Sequence, residues 1–205
     1  MPRYLSIVFV LAMFTLWPQA ASSQESTLPT LRDTAEKSNL LVGVAVNGRA
    51  WRERDQNPEY FKLLETQFNI ITAENDMKFG SLTRVRGEYD WAVADEMFDF
   101  AEKHGMKVRF HAGLWHTQKP KWLNEKDFTR EQIKAIAKQH IHTVGQRYGQ
   151  RMLYWDVVNE PIDGRKPDGL RDTIFKRAIG EDYLARVHRW AHEAAPDVKL
   201  VINDY

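Results

Sequence analysis

The 205 residues contain no cysteine, which removes disulfides, thiolate nucleophiles and cysteine-type zinc sites together. Net charge is nearly absent too: 29 Lys and Arg face 28 Asp and Glu, a formal balance of +1. A chain so balanced has no one-signed field to draw in nucleic acid or an anionic membrane. Past the N-terminus no segment is apolar enough for a membrane span, so none is expected in the mature chain. A glycine-rich phosphate turn is also lacking. Where it would stand, after the first strand candidate, the chain reads Asn47-Gly48-Arg49-Ala50-Trp51, which is no dinucleotide fingerprint. His188 and His192 have the i, i+4 spacing of a metal pair, but Arg189-Trp190-Ala191 lies between them without the glutamate of a zincin motif. They read as helix-surface or packing histidines, and His140 and His142 as structural. No metal and no cofactor is expected.

What the N-terminus has is an Arg3 followed by the apolar run Tyr4 to Trp17 and then Ala20, Ala21, Ser22 and Ser23. This is the three-part pattern of a secretory signal, with Ala21-x-Ser23 a cleavage site before Gln24. The expectation is a signal peptide over 1–23, a secreted or periplasmic mature protein, a mobile polar lead-in over 24–37, and a folded unit over 38–205.

Within that unit apolar runs alternate with helical periodicity. Strand candidates are Leu41–Val46, Phe68–Thr72, Lys107–Leu114, Met152–Val158 and Lys199–Asn203. Between them, Pro58–Phe68 carries Phe61, Leu64 and Phe68 at helical spacing. Asp90 is a candidate cap for a helix with Val93, Met97, Phe98 and Ala101 on one face and Gly105 beyond its end. Thr129 and Gln132 have capping-box spacing ahead of the stripe Ile133, Ile136, Ala137, Ile141, Val144, Tyr148. Tyr183, Leu184, Val187, Trp190, Ala191 and Ala194 mark a further helix. Such alternation predicts an α/β fold with parallel strands and crossover helices. A doubly wound sheet is the competing architecture, weakened by the missing phosphate turn.

Polar groups gather just past the strand candidates: Glu74-Asn75-Asp76-Met77-Lys78 after the second, His111 through Trp115-His116-Thr117-Gln118 at the third, Asn159-Glu160 after the fourth, and Asn203-Asp204-Tyr205 after the fifth. The run Tyr154 to Pro161 is the most pointed, since it delivers a carboxyl to a strand end. Asn-Glu-Pro is also ordinary turn chemistry. In a (β/α) barrel, however, all strand ends open on one face and their groups converge. Amides, carboxylates, imidazoles and an ammonium beside aromatic rings suit a neutral, hydroxyl-rich ligand with apolar ring faces, such as a carbohydrate. On its own, Glu74 with Lys78 would be an unremarkable surface ion pair.

On these four segments, in this order over roughly residues 38–205, the chain resembles the family 10 glycoside hydrolases, endo-1,4-β-xylanases built on a (β/α)8 TIM barrel. The resemblance implies that Glu160 is the general acid/base of a retaining mechanism, protonating the departing oxygen and then deprotonating water. That role requires a carboxyl able to hold a proton near neutrality. Asn159 corresponds to the residue that contacts the sugar 2-hydroxyl. Glu74, Asn75 and Lys78 match groups binding sugars on the non-reducing side of the cut. His111, Trp115, His116 and Gln118 match the walls around the sugar being cleaved, and Tyr205 an aromatic on the leaving-group side. Trp155 reads as core and Asp156 as a hydrogen-bond partner of the site.

Three departures from the family pattern bear on these expectations. Phe79 stands where the family often has Trp, and Ala112-Gly113 where Thr-Leu is common; both are expected to reshape the non-reducing side. The third is length. A complete barrel takes about 250 residues, and the seventh-strand nucleophile has no counterpart here. The expectation is therefore a barrel truncated after about five strands, with two exposed parallel edges, poor solubility and no activity alone. The complete protein is expected to be a monomer acting on xylan. Two other readings remain: a non-catalytic carbohydrate-binding remnant, and a related barrel glycosidase acting on β-1,4-glucan.

Overall fold

The computed structural model describes residues 28–205. The expected signal peptide, 1–23, lies outside the described residues. Five strands, β1 (Gly43–Val46), β2 (Ile70–Ala73), β3 (Lys107–Trp115), β4 (Tyr154–Asn159) and β5 (Lys199–Asn203), form one sheet in sequential order. Every neighbouring pair is parallel, and each connection contains at least one helix. That is the strand order of a (β/α) barrel rather than of a doubly wound sheet, where the order reverses at a switch point. The barrel does not close: among the described residues β1 and β5 are edge strands.

The helices are α1 (Leu31–Lys37), α2 (Gly48–Arg52), α3 (Pro58–Gln67), α4 (Phe79–Leu82), α5 (Ala92–Lys103), α6 (Arg130–Tyr148), α7 (Ile174–Ile179) and α8 (Tyr183–Ala194). The capping box that opens α6 is complete: Thr129 Oγ1 accepts from Gln132 N, and the Gln132 side chain accepts from Thr129 N. Its predicted stripe is buried, with Ile133, Ala137, Ile141, Val144 and Tyr148 in the core and Ile136 packed at its margin. Trp155 is fully buried, as its position in a strand flanked by α6 and α8 requires. Close packing there depends on a small residue. A Cβ on Gly145 of α6 would sit 2.5 Å from the Ala194 Cβ of α8.

Three local expectations are corrected. The lead-in over 24–37 ends in helix α1, because Thr30 and Asp33 form a second capping box. The helix is fastened by Arg32, whose guanidinium donates to the carbonyls of His104 (2.8 Å) and Gly105 (3.2 Å) past the end of α5. Asp90 is not the N-cap of α5; Trp91 occupies that position, and Asp90 accepts from Ala92 N one step earlier. Finally, Gly113 does not face the cleft. A Cβ there would meet the Val157 carbonyl oxygen at 2.6 Å and Ile141 Cδ1 at 2.9 Å, so its open side points into the core under α6.

The concave face of the sheet is a groove of about 740 Å³ lined by Val44, Thr72, Arg109, Tyr154 and Val201 among others, with Glu74, Lys78 and His111 at one end. That end is the C-terminal end of the strands.

Candidate active site

Glu160 follows β4 directly. Its backbone is left-handed, with φ of +52°, a region that non-glycine residues occupy only when their surroundings hold them there. The amide N–H donates to the Asn203 carbonyl of β5 at 2.7 Å. The carboxyl Oε2 accepts from the indole Nε1 of Trp115 at 2.9 Å, so the last residue of β3 aims the carboxyl that follows β4. The register of these strands makes this possible, since Trp115 pairs with Asn159 across the ladder.

Behind the carboxyl lies a polar network built on Asp156, which is 1% exposed. Its two oxygens receive Arg109 Nε and Nη2 at 2.7–3.0 Å and His111 Nδ1 at 2.8 Å. Arg109 extends the network: Nη2 also donates to Asn203 Oδ1 at 3.0 Å, and Asn203 Nδ2 donates to Asn159 Oδ1 at 2.7 Å. A buried carboxylate is thereby paired and fully bonded, as its burial demands. The same bonds fix the rotamer of Asn159.

On the β2 side, the loop after Ala73 places Lys78 against the cleft, 6% exposed. Glu74 and Lys78 are not an ion pair. Lys78 Nζ donates to Asn75 Oδ1 (3.1 Å), which also accepts from Gln118 Nε2 (3.0 Å), while Glu74 accepts from Asn47 Nδ2 (2.8 Å). Burial pushes the Lys78 ammonium below its ordinary range, opposed by the Glu74 and Glu160 carboxylates. Burial also lowers the His116 imidazole, reinforced by the positive charge of Arg171 and opposed by Glu160 and Asp204.

The structure thus bonds Asn75 to Lys78 and Gln118, Trp115 to Glu160, and His111 through Asp156, Arg109 and Asn203 to Asn159, with Lys78 Nζ 4.4 Å from the Trp115 ring centroid joining the first two groups. Tyr205 stands apart, 93% exposed, its hydroxyl accepting from Arg171 Nη2 at 3.2 Å. The outlying histidines are engaged elsewhere: His188 Nδ1 with the Leu184 carbonyl, His140 Nδ1 with the Tyr89 hydroxyl. Two residues of the site were not singled out from the sequence. Arg109 carried a signal, since it shares one face of β3 with His111 two residues on. Arg171 carried none, because it acts on backbone carbonyls from an irregular loop.

Comparison with known proteins places this geometry. The sequence pattern described as glycosyl hydrolase family 10 matches residues 30–205. Endo-1,4-beta-xylanase B of Thermotoga neapolitana is 34% identical over 194 residues, covering 95% of this chain and 55% of that protein. Endo-1,4-beta-xylanase B of Paenibacillus barcinonensis is 39% identical over 172 residues, covering 82% of this chain and 50% of that one. Among solved structures, xylanase 10B from Thermotoga petrophila RKU-1, in complex with xylobiose, superposes with a TM-score of 0.81 at 34% identity, over 87% of this chain and 54% of that chain. This chain spans about half the length of each of these relatives.

Proposed function

Because the chain belongs to glycosyl hydrolase family 10, matching an N-terminal portion of its catalytic domain, we propose that the whole protein hydrolyses internal β-1,4 bonds of xylan with retention, Glu160 serving as general acid/base. The observation that carries this reading is the carboxyl of Glu160, held by Trp115 Nε1 at the C-terminal end of the strands. A carboxyl so held has one oxygen bonded and leaves the other for the glycosidic oxygen. Asn159, fixed by Asn203, supplies an amide for the sugar 2-hydroxyl, a contact that strengthens as oxocarbenium character develops. Lys78, Asn75 and Gln118 offer donors to sugar hydroxyls on the other side of the indole of Trp115.

Retention requires a second carboxylate about 5–5.5 Å from the first, to form and then release a glycosyl ester. On this reading it comes from the part of the fold that the longer relatives have beyond the matched portion. The 205-residue chain then binds xylan without cutting it. The N-terminal pattern of Arg3, Tyr4–Trp17 and Ala21-x-Ser23 supports export of the protein from the cytoplasm.

The test measures xylan binding and release of reducing ends for the 205-residue chain and for the complete protein, with carboxymethyl-cellulose alongside. The reading expects turnover on xylan by the complete protein, abolished by Glu160→Gln, and binding without turnover by the chain. A preference for carboxymethyl-cellulose would move the substrate to glucan. Turnover by the chain alone, lost in Glu160→Gln, would refute the need for a second carboxylate from elsewhere.

A further inference from the structure

The left-handed turn at Glu160 is held on its carbonyl side by a single residue. Arg171 Nε donates to the Glu160 carbonyl at 3.0 Å, Nη2 donates to the Ile162 carbonyl at 3.1 Å, and the Arg171 amide donates to the Pro161 carbonyl at 2.7 Å. Three consecutive carbonyls, 160 to 162, therefore end on one arginine. The bridge between Ile162 and Leu170 brings that arginine back against the turn it holds. Among the described residues its guanidinium makes no ion pair with a carboxylate; its remaining bond goes to the Tyr205 hydroxyl. An arginine spends its forked donors on backbone in this way where the conformation of that backbone matters.

We propose that Arg171 is a positioning residue for Glu160, holding the turn in the left-handed state that directs the carboxyl onto Trp115 Nε1. The proposal rests on the reading of Glu160 as the acid/base, but its geometry is independent of catalysis. Without the fork, residue 160 is free to relax to negative φ, the region an L-residue prefers. Its side chain then leaves the strand in another direction and loses the indole. Lysine at 171 keeps the charge but, as a point donor, reaches one carbonyl in place of two.

The reporter is the indole N–H resonance of Trp115 in the 205-residue chain, assigned by Trp115→Phe, with Glu160→Ala marking its position when the acceptor is gone. Trp122, whose indole donates to the Thr83 carbonyl at 2.7 Å, is the internal control. Arg171→Met is expected to move the Trp115 resonance more than halfway to the Glu160→Ala position, and Arg171→Lys less far, with Trp122 unmoved. If Arg171→Met does not fold, Arg171→Lys alone decides by whether Trp115 shifts. A Trp115 resonance that stays in place, or one that moves only together with Trp122, would overturn the proposal. Xylo-oligosaccharide binding by the unaltered chain is read in the same samples; its absence would count against the xylan reading and leave the resonance test standing.

Discussion

Lys78 Nζ lies 4.4 Å from the centroid of the Trp115 ring, and the N–H of the same indole holds Glu160. One aromatic ring therefore joins the ammonium of the β2 loop to the carboxyl that follows β4. A buried ammonium beside a ring face is stabilised by the ring quadrupole, which partly offsets the desolvation that lowers its proton affinity. The arrangement makes Trp115 a pivot, and it separates what the two flanking residues should do when altered.

Trp115→Phe keeps a ring face for Lys78 but removes the donor to Glu160. A side-chain hydrogen bond contributes about 0.5–1.5 kcal/mol, so kcat of the complete protein on xylan should fall about two- to tenfold. Steady-state kinetics on soluble xylan check this. An unchanged kcat would mean that the indole bond does not orient the Glu160 carboxyl for the proposed chemistry.

Lys78→Met removes the ammonium that donates to Asn75 Oδ1 alongside Gln118 Nε2. Titration calorimetry of the 205-residue chain with a xylo-oligosaccharide should show binding weakened by about tenfold, the equivalent of about 1.4 kcal/mol. The effect should appear without loss of fold, because methionine fills much of the same buried volume.

Asn203→Ala cuts the link between Arg109 and Asn159. Asn159 then loses its fixed rotamer, and on the proposed reading the contact that suffers is the one to the sugar 2-hydroxyl in the transition state. The expected signature in the complete protein is a lower kcat with KM little changed. A rise in KM alone would assign Asn159 to ground-state binding.

How much of this was legible in the sequence depended on the kind of interaction. The capping box of Thr129 with Gln132 and the alternation of β and α report local, periodic constraints, and both appear where expected. Helices α2, α4 and α7 are only four to six residues long, too short to display an apolar stripe. The caps of two of them could have been read, since Asn47 and Thr173 accept from the first turns of α2 and α7. The left-handed φ of Glu160 and the reach of Arg171 to three carbonyls leave no trace in residue order. They depend on a loop's return path, which periodicity does not encode. Gly113 was misread for a related reason: its neighbour Ala112 is a strand residue of β3, but a register shift between His111 and Leu114 decides which side faces the core.

Gly113→Ala tests that placement. The added methyl would lie 2.6 Å from the Val157 carbonyl and 3.3 Å from Trp155 Nε1, and backbone oxygen cannot swing aside as a side chain can. Overpacking of this kind costs about 1–3 kcal/mol. Urea denaturation should show a lower midpoint with an unchanged slope; a midpoint at or above that of the unaltered protein would place Gly113 against open space.

Stability should also fall as the solution is acidified, through His140. Its ring is fully buried, stacked on Phe79 at 3.6 Å between centroids, with Nδ1 bonded to the Tyr89 hydroxyl. Burial pushes the imidazole down to about 3, against about 6.5 in an unfolded chain. The sign follows from proton counting. Between these two values the unfolded state binds a proton that the folded state refuses, so the unfolded state gains as pH drops. The contribution is neutral above about 6.5, grows by at most about 1.4 kcal/mol per pH unit below it, and levels off once pH falls beneath about 3. Urea midpoints compared at pH 7 and pH 5 should therefore differ, and His140→Gln, which cannot titrate, should show a smaller difference. An equal pH dependence in His140→Gln would rule this histidine out as the cause.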